Sequence, residues 1–178
     1  KETKVKKMSR GANSKYKITL RYALFECGLC GNEFENIITK IKNDNATIYA
    51  IIGDGESQEG QIWEASMFAA HEKLDNLIVM LDYNKLQLCG YTDDVMSIHD
   101  PAKKWESFGF FVQSIDGNDI DAVDKAITLA KQNKGRPSMI VLNTIKGKGF
   151  SYSETAGVDN HSMPVTKEHV ELAKEELK

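Results

Sequence analysis

The stretch Gly53-Asp54-Gly55-Glu56-Ser57-Gln58-Glu59-Gly60 holds the residue types that a phosphate and a hard cation need in one place. Two glycines around an aspartate let the backbone turn sharply and bring its amides close to phosphate oxygens. A helix starting near Gln58 aims its unpaired N–H groups and the positive end of its dipole at the same space. Asp54 offers a hard oxygen. Magnesium takes six oxygens in a tight octahedron, usually one or two carboxylates with phosphate and water. Asn84 stands thirty positions further on, past a second apolar run, and its amide oxygen supplies a second candidate ligand. The backbone carbonyl at Leu86 is a candidate for a third. Gly-Asp-Gly alone is also an ordinary turn. The spacing favours a site, because a right-handed strand–helix–strand unit returns Asn84 to the sheet edge that carries Asp54.

Regular punctuation from Thr47 onward supplies the elements that must position these groups. Thr47–Ile52 is a short, β-branched apolar run and reads as a buried strand; Gln58–Leu74 reads as a helix, with Ile62, Ala65 and Ala69 at helical spacing. Leu77–Tyr83 predicts a second strand, Pro101–Phe108 a helix with proline in its first turn, and Phe110–Ile115 a third strand. A helix over Ile120–Gln132 and a fourth strand over Met139–Ile145 follow. Residues 146–164 read as a long polar loop opened by Lys146-Gly-Lys-Gly149. A last helix starts at the N-cap Thr166 and presents Val170, Ala173 and Leu177 on one face. Strands this apolar, alternating with helices, predict an α/β fold: a parallel sheet with helices on both faces. Such sheets bind ligands at the carboxyl ends of their strands. Three glycine-bearing polar segments lie there: Gly53–Glu59, Asn84–Gly90 and Lys146–His161.

Beyond spacing, the residues resemble a known family. Gly53-Asp-Gly55 followed by Asn84 resembles the thiamine diphosphate signature. The run Gly53-Asp-Gly-Glu-Ser-Gln-Glu-Gly-Gln-Ile-Trp-Glu-Ala65, with Phe68-Ala-Ala-His71, Leu74-Asp-Asn-Leu77 and Asp82-Tyr-Asn-Lys-Leu-Gln87, is similar to transketolase. The likeness continues through Phe108-Gly109, Asp116-Gly117, Lys146-Gly-Lys-Gly149 and the loop of His161, and it spans about residues 42–178. It implies a thiamine diphosphate-binding α/β domain of the diphosphate (PP) type. It also implies a cofactor site of Gly53, Asp54, Gly55, Glu56, Asn84, Lys146 and His161. Asp54, Asn84 and Leu86 would hold Mg²⁺, Glu59 would link two active sites across a dimer, and His161 would be the catalytic proton donor near the reacting carbon. By position alone His161 and Lys146 are also simple loop residues.

The implied activity is transfer of a two-carbon ketol unit between sugar phosphates. It would require a partner, the C-terminal pyrimidine-binding subunit or domain of a transketolase, in a homodimer or heterotetramer. The family's glutamate that activates the cofactor lies in that partner region, and the residues before position 42 lack the family's Gly-Ser-Leu-Gly turn and channel histidines. Cys89-Gly90 stands where the family usually shows Asp-Gly. The alternatives are another thiamine diphosphate component, a 2-oxo acid dehydrogenase E1 or a deoxyxylulose-phosphate synthase. Against both, the Glu-Ser-Gln-Glu-Gly-Gln-x-Trp-Glu-Ala run is most like transketolase.

Composition bounds the rest. The chain has 178 residues, 41% hydrophobic and 8% aromatic, and no apolar run near the ~20 residues that span a bilayer. Three cysteines and no apolar leader imply a reducing, cytoplasmic setting. The net charge of −3 divides into a lead-in of about +7 over residues 1–25 and a body of about −10. Residues 1–41 read as a basic lead-in outside the family match. Cys27-Gly-Leu-Cys30-Gly within it resembles half of a zinc knuckle, or two reduced cysteines in an irregular segment. A non-catalytic protein with a basic nucleic-acid-contacting arm is the third reading, although a solvated lead-in explains the same charge.

Overall fold

The computed structural model describes residues 46–177. The basic lead-in, its two cysteines and the boundary near residue 42 lie outside these. Four parallel strands form the main sheet: β1 (Ile48–Gly53), β2 (Leu77–Tyr83), β5 (Phe111–Asp116) and β6 (Ser138–Asn143), in the order β1-β2-β6-β5. A small antiparallel hairpin, β3 (Leu86–Gln87) with β4 (Gly90–Tyr91), follows β2 directly. The helices are α1 (Gly60–His71), α2 (Thr92–Met96), α3 (Pro101–Ser107), α4 (Ile120–Gln132), α5 (Ser151–Glu154) and α6 (Lys167–Glu176).

Register decides where the loops emerge. Gly53 pairs with Asp82, and Asp82 with Leu142, so β1, β2 and β6 end level with one another. The residues that follow them, Asp54, Asn84 and Thr144, therefore leave the sheet along one edge.

Helices cover both faces, as the apolar strands require. On one face α1 and α3 bury Ile62, Ala65, Ala69 and Trp105 against Ile52, Val79, Leu81, Met139 and Val141. On the other, α4 sets Ala126 and Ala130 on Ile78, Met80 and Ile140. Small alanines at these contacts let the helices lie close to the sheet. The Asp119 carboxylate starts α4 by accepting from the amides of Asp121 (2.9 Å) and Ala122 (3.2 Å), and Asp100 caps α3 through Lys103 (3.2 Å). The helix expected from Gln58 begins two residues later, because a 3-10 turn at Glu56–Gln58 precedes it. It stops at His71 in a reverse turn in which Leu74 N–H reaches the Ala69 carbonyl and Lys73 sits at φ 52°.

Three expectations change. Coverage of the second face stops at β2: Ile51 of β1 points to the α4 side and is 69% exposed. The helix from Thr166 forms with the expected cap, completed by His169, yet none of its residues is buried. Val170 and Leu177 face solvent, and the Glu176 carboxylate ties α6 down by accepting from the Ser151 amide and hydroxyl. The loop after Lys146 contains α5 and a 3-10 turn at Gly157–Ser162.

Trp105 is the largest buried side chain. Its indole Nε1 donates to Ser66 Oγ (3.1 Å), which in turn donates to the Ile62 carbonyl (2.7 Å), and Trp63 lies 4.6 Å away ring to ring. Ser66→Ala leaves the buried indole N–H unpaired and is expected to cost about 1–3 kcal/mol. The urea midpoint measures it, and in a Trp105→Phe background the same substitution should cost clearly less.

Candidate functional site

Asp54 leaves β1 into the interior: it is 2% exposed. Its Oδ2 accepts from the Lys85 amide at 2.6 Å and from the Thr92 hydroxyl at 3.3 Å, and its carbonyl accepts from Ser57 Oγ at 2.6 Å. Lys85 directly follows Asn84, so a bond across 31 positions brings the ends of β1 and β2 together. To aim its amide inward, Lys85 takes a left-handed conformation (φ 64°) that a residue with a side chain rarely adopts. Its carbonyl is held from the other side by the Thr92 amide (3.0 Å).

Asn84 makes two side-chain bonds. Its Oδ1 accepts from Leu86 N–H (2.9 Å) and its Nδ2 donates to Asp82 Oδ2 (3.0 Å). A carbonyl oxygen has two lone pairs, so one remains for a cation. Asp82 Oδ1 takes the hydroxyl of Thr144, the residue that follows β6, in a short bond.

Electrostatics at this edge are one-sided. Burial pushes the Asp54 carboxyl above the ordinary carboxylate range, and the charge of Asp82 pushes the same way. Hydrogen bonds from its own backbone, Lys85 and Thr92 pull it back. Tyr83 is likewise raised, by burial and by Asp93, Asp54 and Asp100. Among the described residues no lysine, arginine or histidine forms an ion pair with Asp54. A buried carboxyl beside a second acid, with no ion-paired cation among the described residues, suits a divalent ion with oxygen ligands. The residues present fit Mg²⁺.

The turn beside it suits an anion. Gly55 donates its amide to no group among the described residues, and a Cβ on it would come 3.3 Å from the Gln87 amide oxygen. Glu56 is exposed, and its carboxylate accepts from the Gly53 amide (2.8 Å) and closes the turn. Glu59 is exposed at the start of α1.

An open cleft of about 670 Å³ runs along the same edge on the α4 side. Asp82, Thr144, Lys146 and Lys148 form its polar part, and Ile51, Leu142, Ile145 and Phe150 its apolar wall. Lysines beside apolar surface fit a ligand with a charged end and a ring. His161 is exposed and lines a second depression of about 530 Å³ with Leu88, Tyr152 and Met163, on a 3-10 turn that packs against β3. The two loop ends are tied by Asn160, whose Nδ2 donates to Ser153 (2.5 Å) and Lys146 (3.5 Å) carbonyls. Gly147, at φ 79°, has no room for a side chain, since a Cβ would sit 2.1 Å from Ser153 Oγ.

Asp54, Asn84 and Leu86 are thus gathered at one edge, with Lys146 along it, while His161 lies in the adjoining depression on a 3-10 turn that packs against β3 of Leu86. Sequence reasoning missed Asp82, Thr144 and Thr92. Asp82 had a visible sign, an acid closing an otherwise apolar strand. Thr92 and Thr144 had none, because only the folded chain brings them to Asp54 and Asp82.

Comparison with known proteins identifies the family. The family model described as "Transketolase, thiamine diphosphate binding domain" matches residues 32–178. The 6-deoxy-6-sulfo-D-fructose transketolase subunit SqwG of Clostridium sp. (strain MSTE9) is 53% identical over 131 residues, which are 74% of this chain and 47% of that protein. An apulose-4-phosphate transketolase subunit from Actinobacillus succinogenes is 44% identical over 142 residues, 80% of this chain and 51% of that one. The chain spans about half the length of these curated relatives. Among solved structures, transketolase from Campylobacter jejuni superposes with a TM-score of 0.69 at 26% identity, over 89% of this chain and 23% of that one. A family match over most of its length, joined to a parallel sheet of the same architecture, means that the chain belongs to the transketolase family and carries its thiamine diphosphate-binding domain.

Proposed function

We propose that this chain supplies the Mg²⁺ and diphosphate side of a transketolase site, completed by a pyrimidine-binding partner chain or domain. The observation that carries this reading is the buried Asp54 carboxylate, hydrogen-bonded to the amide after Asn84 and lacking an ion-paired cation among the described residues. Asp54, the Asn84 amide oxygen and the Leu86 carbonyl would hold the ion. The Gly55 amide and the turn it opens would meet phosphate oxygens, with Lys146 neutralising charge along the cleft. When bound, thiamine diphosphate supplies a nucleophilic carbon that carries a two-carbon ketol unit. The chain's own work is to hold the charged end, keep it oriented, and exclude water behind it. His161, on the neighbouring loop, is the group for proton transfer if that loop closes toward the cleft on binding. The relatives are named as subunits, which favours a separate partner chain in a homodimer or heterotetramer. A cytoplasmic setting accords with the three cysteines of the chain. Sugar phosphates are the substrates to assay first, with a sulfonated ketose beside them because the relative from Clostridium is named for one.

Calorimetric titration tests the site. Thiamine diphosphate should bind only with Mg²⁺ present, and Asp54→Asn should reduce that binding at least about 100-fold, removing as it does the one buried charged ligand. Equal affinity with and without the metal overturns the reading. The same variant has a second consequence, opposite in sign. Because the folded-state pKa of Asp54 is raised, its contribution to stability is best at low pH and is lost as pH rises through the folded value. Metal-free Asp54→Asn should therefore melt above wild type near pH 7, and the gap should close toward pH 4.

Activity should need the partner. Interactions at the diphosphate end hold substrate and transition state alike, and so cannot replace groups at the reacting carbon. A polypeptide of these 178 residues is expected to exchange the cofactor's C2 proton no faster than free cofactor does, as followed by NMR in deuterated water. Addition of a pyrimidine-domain protein should restore both exchange and ketol transfer. Enzyme-level exchange without it would show that an acid of this chain does the activating.

A further inference from the structure

The Asn84 amide can serve a cation in only one of its two orientations. Its oxygen must face the ion, and rotation by half a turn would present the NH₂ group instead. Leu86 N–H donates to Oδ1 at 2.9 Å, but that single bond leaves the amide free to swing about its χ2 torsion. What fixes the other end is Asp82, whose Oδ2 accepts from Nδ2 at 3.0 Å. A flipped amide would set its oxygen against the Asp82 carboxylate and its NH₂ against the Leu86 N–H, two repulsive contacts in place of two bonds. Asp82 is itself pinned, because its second oxygen takes the hydroxyl of Thr144, the residue that follows the neighbouring strand β6. Thr144 in turn lies where β5 ends: a Cβ on Gly117 would come within 2.5 Å of Thr144 Cγ2, so only glycine leaves the threonine its place.

We propose that Asp82 is a positioning residue for the cation site, holding the Asn84 carbonyl oxygen toward the ion and held in turn by Thr144. This rests on the reading that Asn84 ligates Mg²⁺. Asp82 need not touch the metal or the cofactor. It acts by orientation, and its negative charge is secondary.

Three substitutions separate orientation from charge. Asp82→Asn removes the charge and keeps an oxygen that accepts from Asn84. Thr144→Val keeps the charge and the shape of the threonine but frees the carboxylate. Asp82→Ala removes both. The measurement is the Mg²⁺ concentration that half-saturates thiamine diphosphate binding, read by calorimetry on the full chain, with melting temperature recorded alongside. Loss of a partner that orients a metal ligand costs on the order of 10–100-fold in metal affinity, which is the shift expected for Asp82→Ala. Thr144→Val should raise the midpoint several-fold, and Asp82→Asn should stay within about threefold of wild type. The order Asp82→Asn milder than Thr144→Val supports orientation even if Asp82→Ala fails to fold. The reverse order overturns the proposal in favour of charge, and an unshifted midpoint in Asp82→Ala overturns it outright. Wild-type binding that ignores Mg²⁺ would instead remove the underlying reading of Asn84, and the proposal with it. The protection of the Asn84 side-chain NH₂ from hydrogen exchange, followed by NMR without any ligand, should fall in Asp82→Ala and Thr144→Val and persist in Asp82→Asn.

Discussion

The Lys85 amide bonded to the Asp54 carboxylate is the constraint on which the rest of this edge depends. It closes a loop of 31 positions, joins the ends of β1 and β2, and draws a charge into the interior. An unpaired carboxylate is costly there, and the chain meets that cost with two donors and a left-handed residue rather than with a basic side chain. Backbone strain placed beside a buried acid is usual where a protein prepares a site in advance of its ligand.

The same edge shows how a sheet converts register into chemistry. Because β1, β2 and β6 end level, one residue from each strand end falls within reach of its neighbour's, and a relay of contacts follows: Asp54 to Lys85, Asn84 to Asp82, Asp82 to Thr144. A slip of one residue in β2 would turn Asp82 to the α1 side and remove Asn84 from the group. Apolar packing on both faces of β2 is what prevents the slip, since Leu77, Val79 and Leu81 face one helical layer while Ile78 and Met80 face the other. Core and site are therefore one problem of alignment.

Packing is uneven away from that centre. β2 and β6 are sandwiched, but Ile51 of β1 and the apolar residues of α6 stand in solvent. Isolated exposed apolar residues are unremarkable on a protein surface. Ile51 and Leu177, the residue after α6, line the cleft of Lys146, so apolar surface lies open along it.

The sequence by itself determined the order of the four main strands and the larger helices and the parallel fold class, and it located the ends of β2 to the residue; the β3–β4 hairpin, α2 and α5 lay in segments that read as loops. These follow from local chemistry: continuous apolar runs for strands buried on two faces, carboxylate caps at Asp100 and Asp119, and proline at the head of α3. The return of the β2 end to the edge that carries Asp54 was legible too, since a right-handed crossover leaves little freedom in where the second strand ends. What only the tertiary structure decided were contacts between loops with no fixed spacing. Thr92 meets Asp54 only because the β3–β4 hairpin folds back, and Thr144 meets Asp82 only because β6 inserts between β2 and β5, an order that the linear pattern does not state. His161 illustrates the converse. Its place after Lys146-Gly-Lys-Gly149 does not say where its loop runs; two short helical turns absorb the intervening residues and set it in a depression beside the β3–β4 hairpin. A loop's reach depends on how its backbone satisfies its own hydrogen bonds, and that was settled by Gly147, Ser153 and Asn160 meeting in three dimensions.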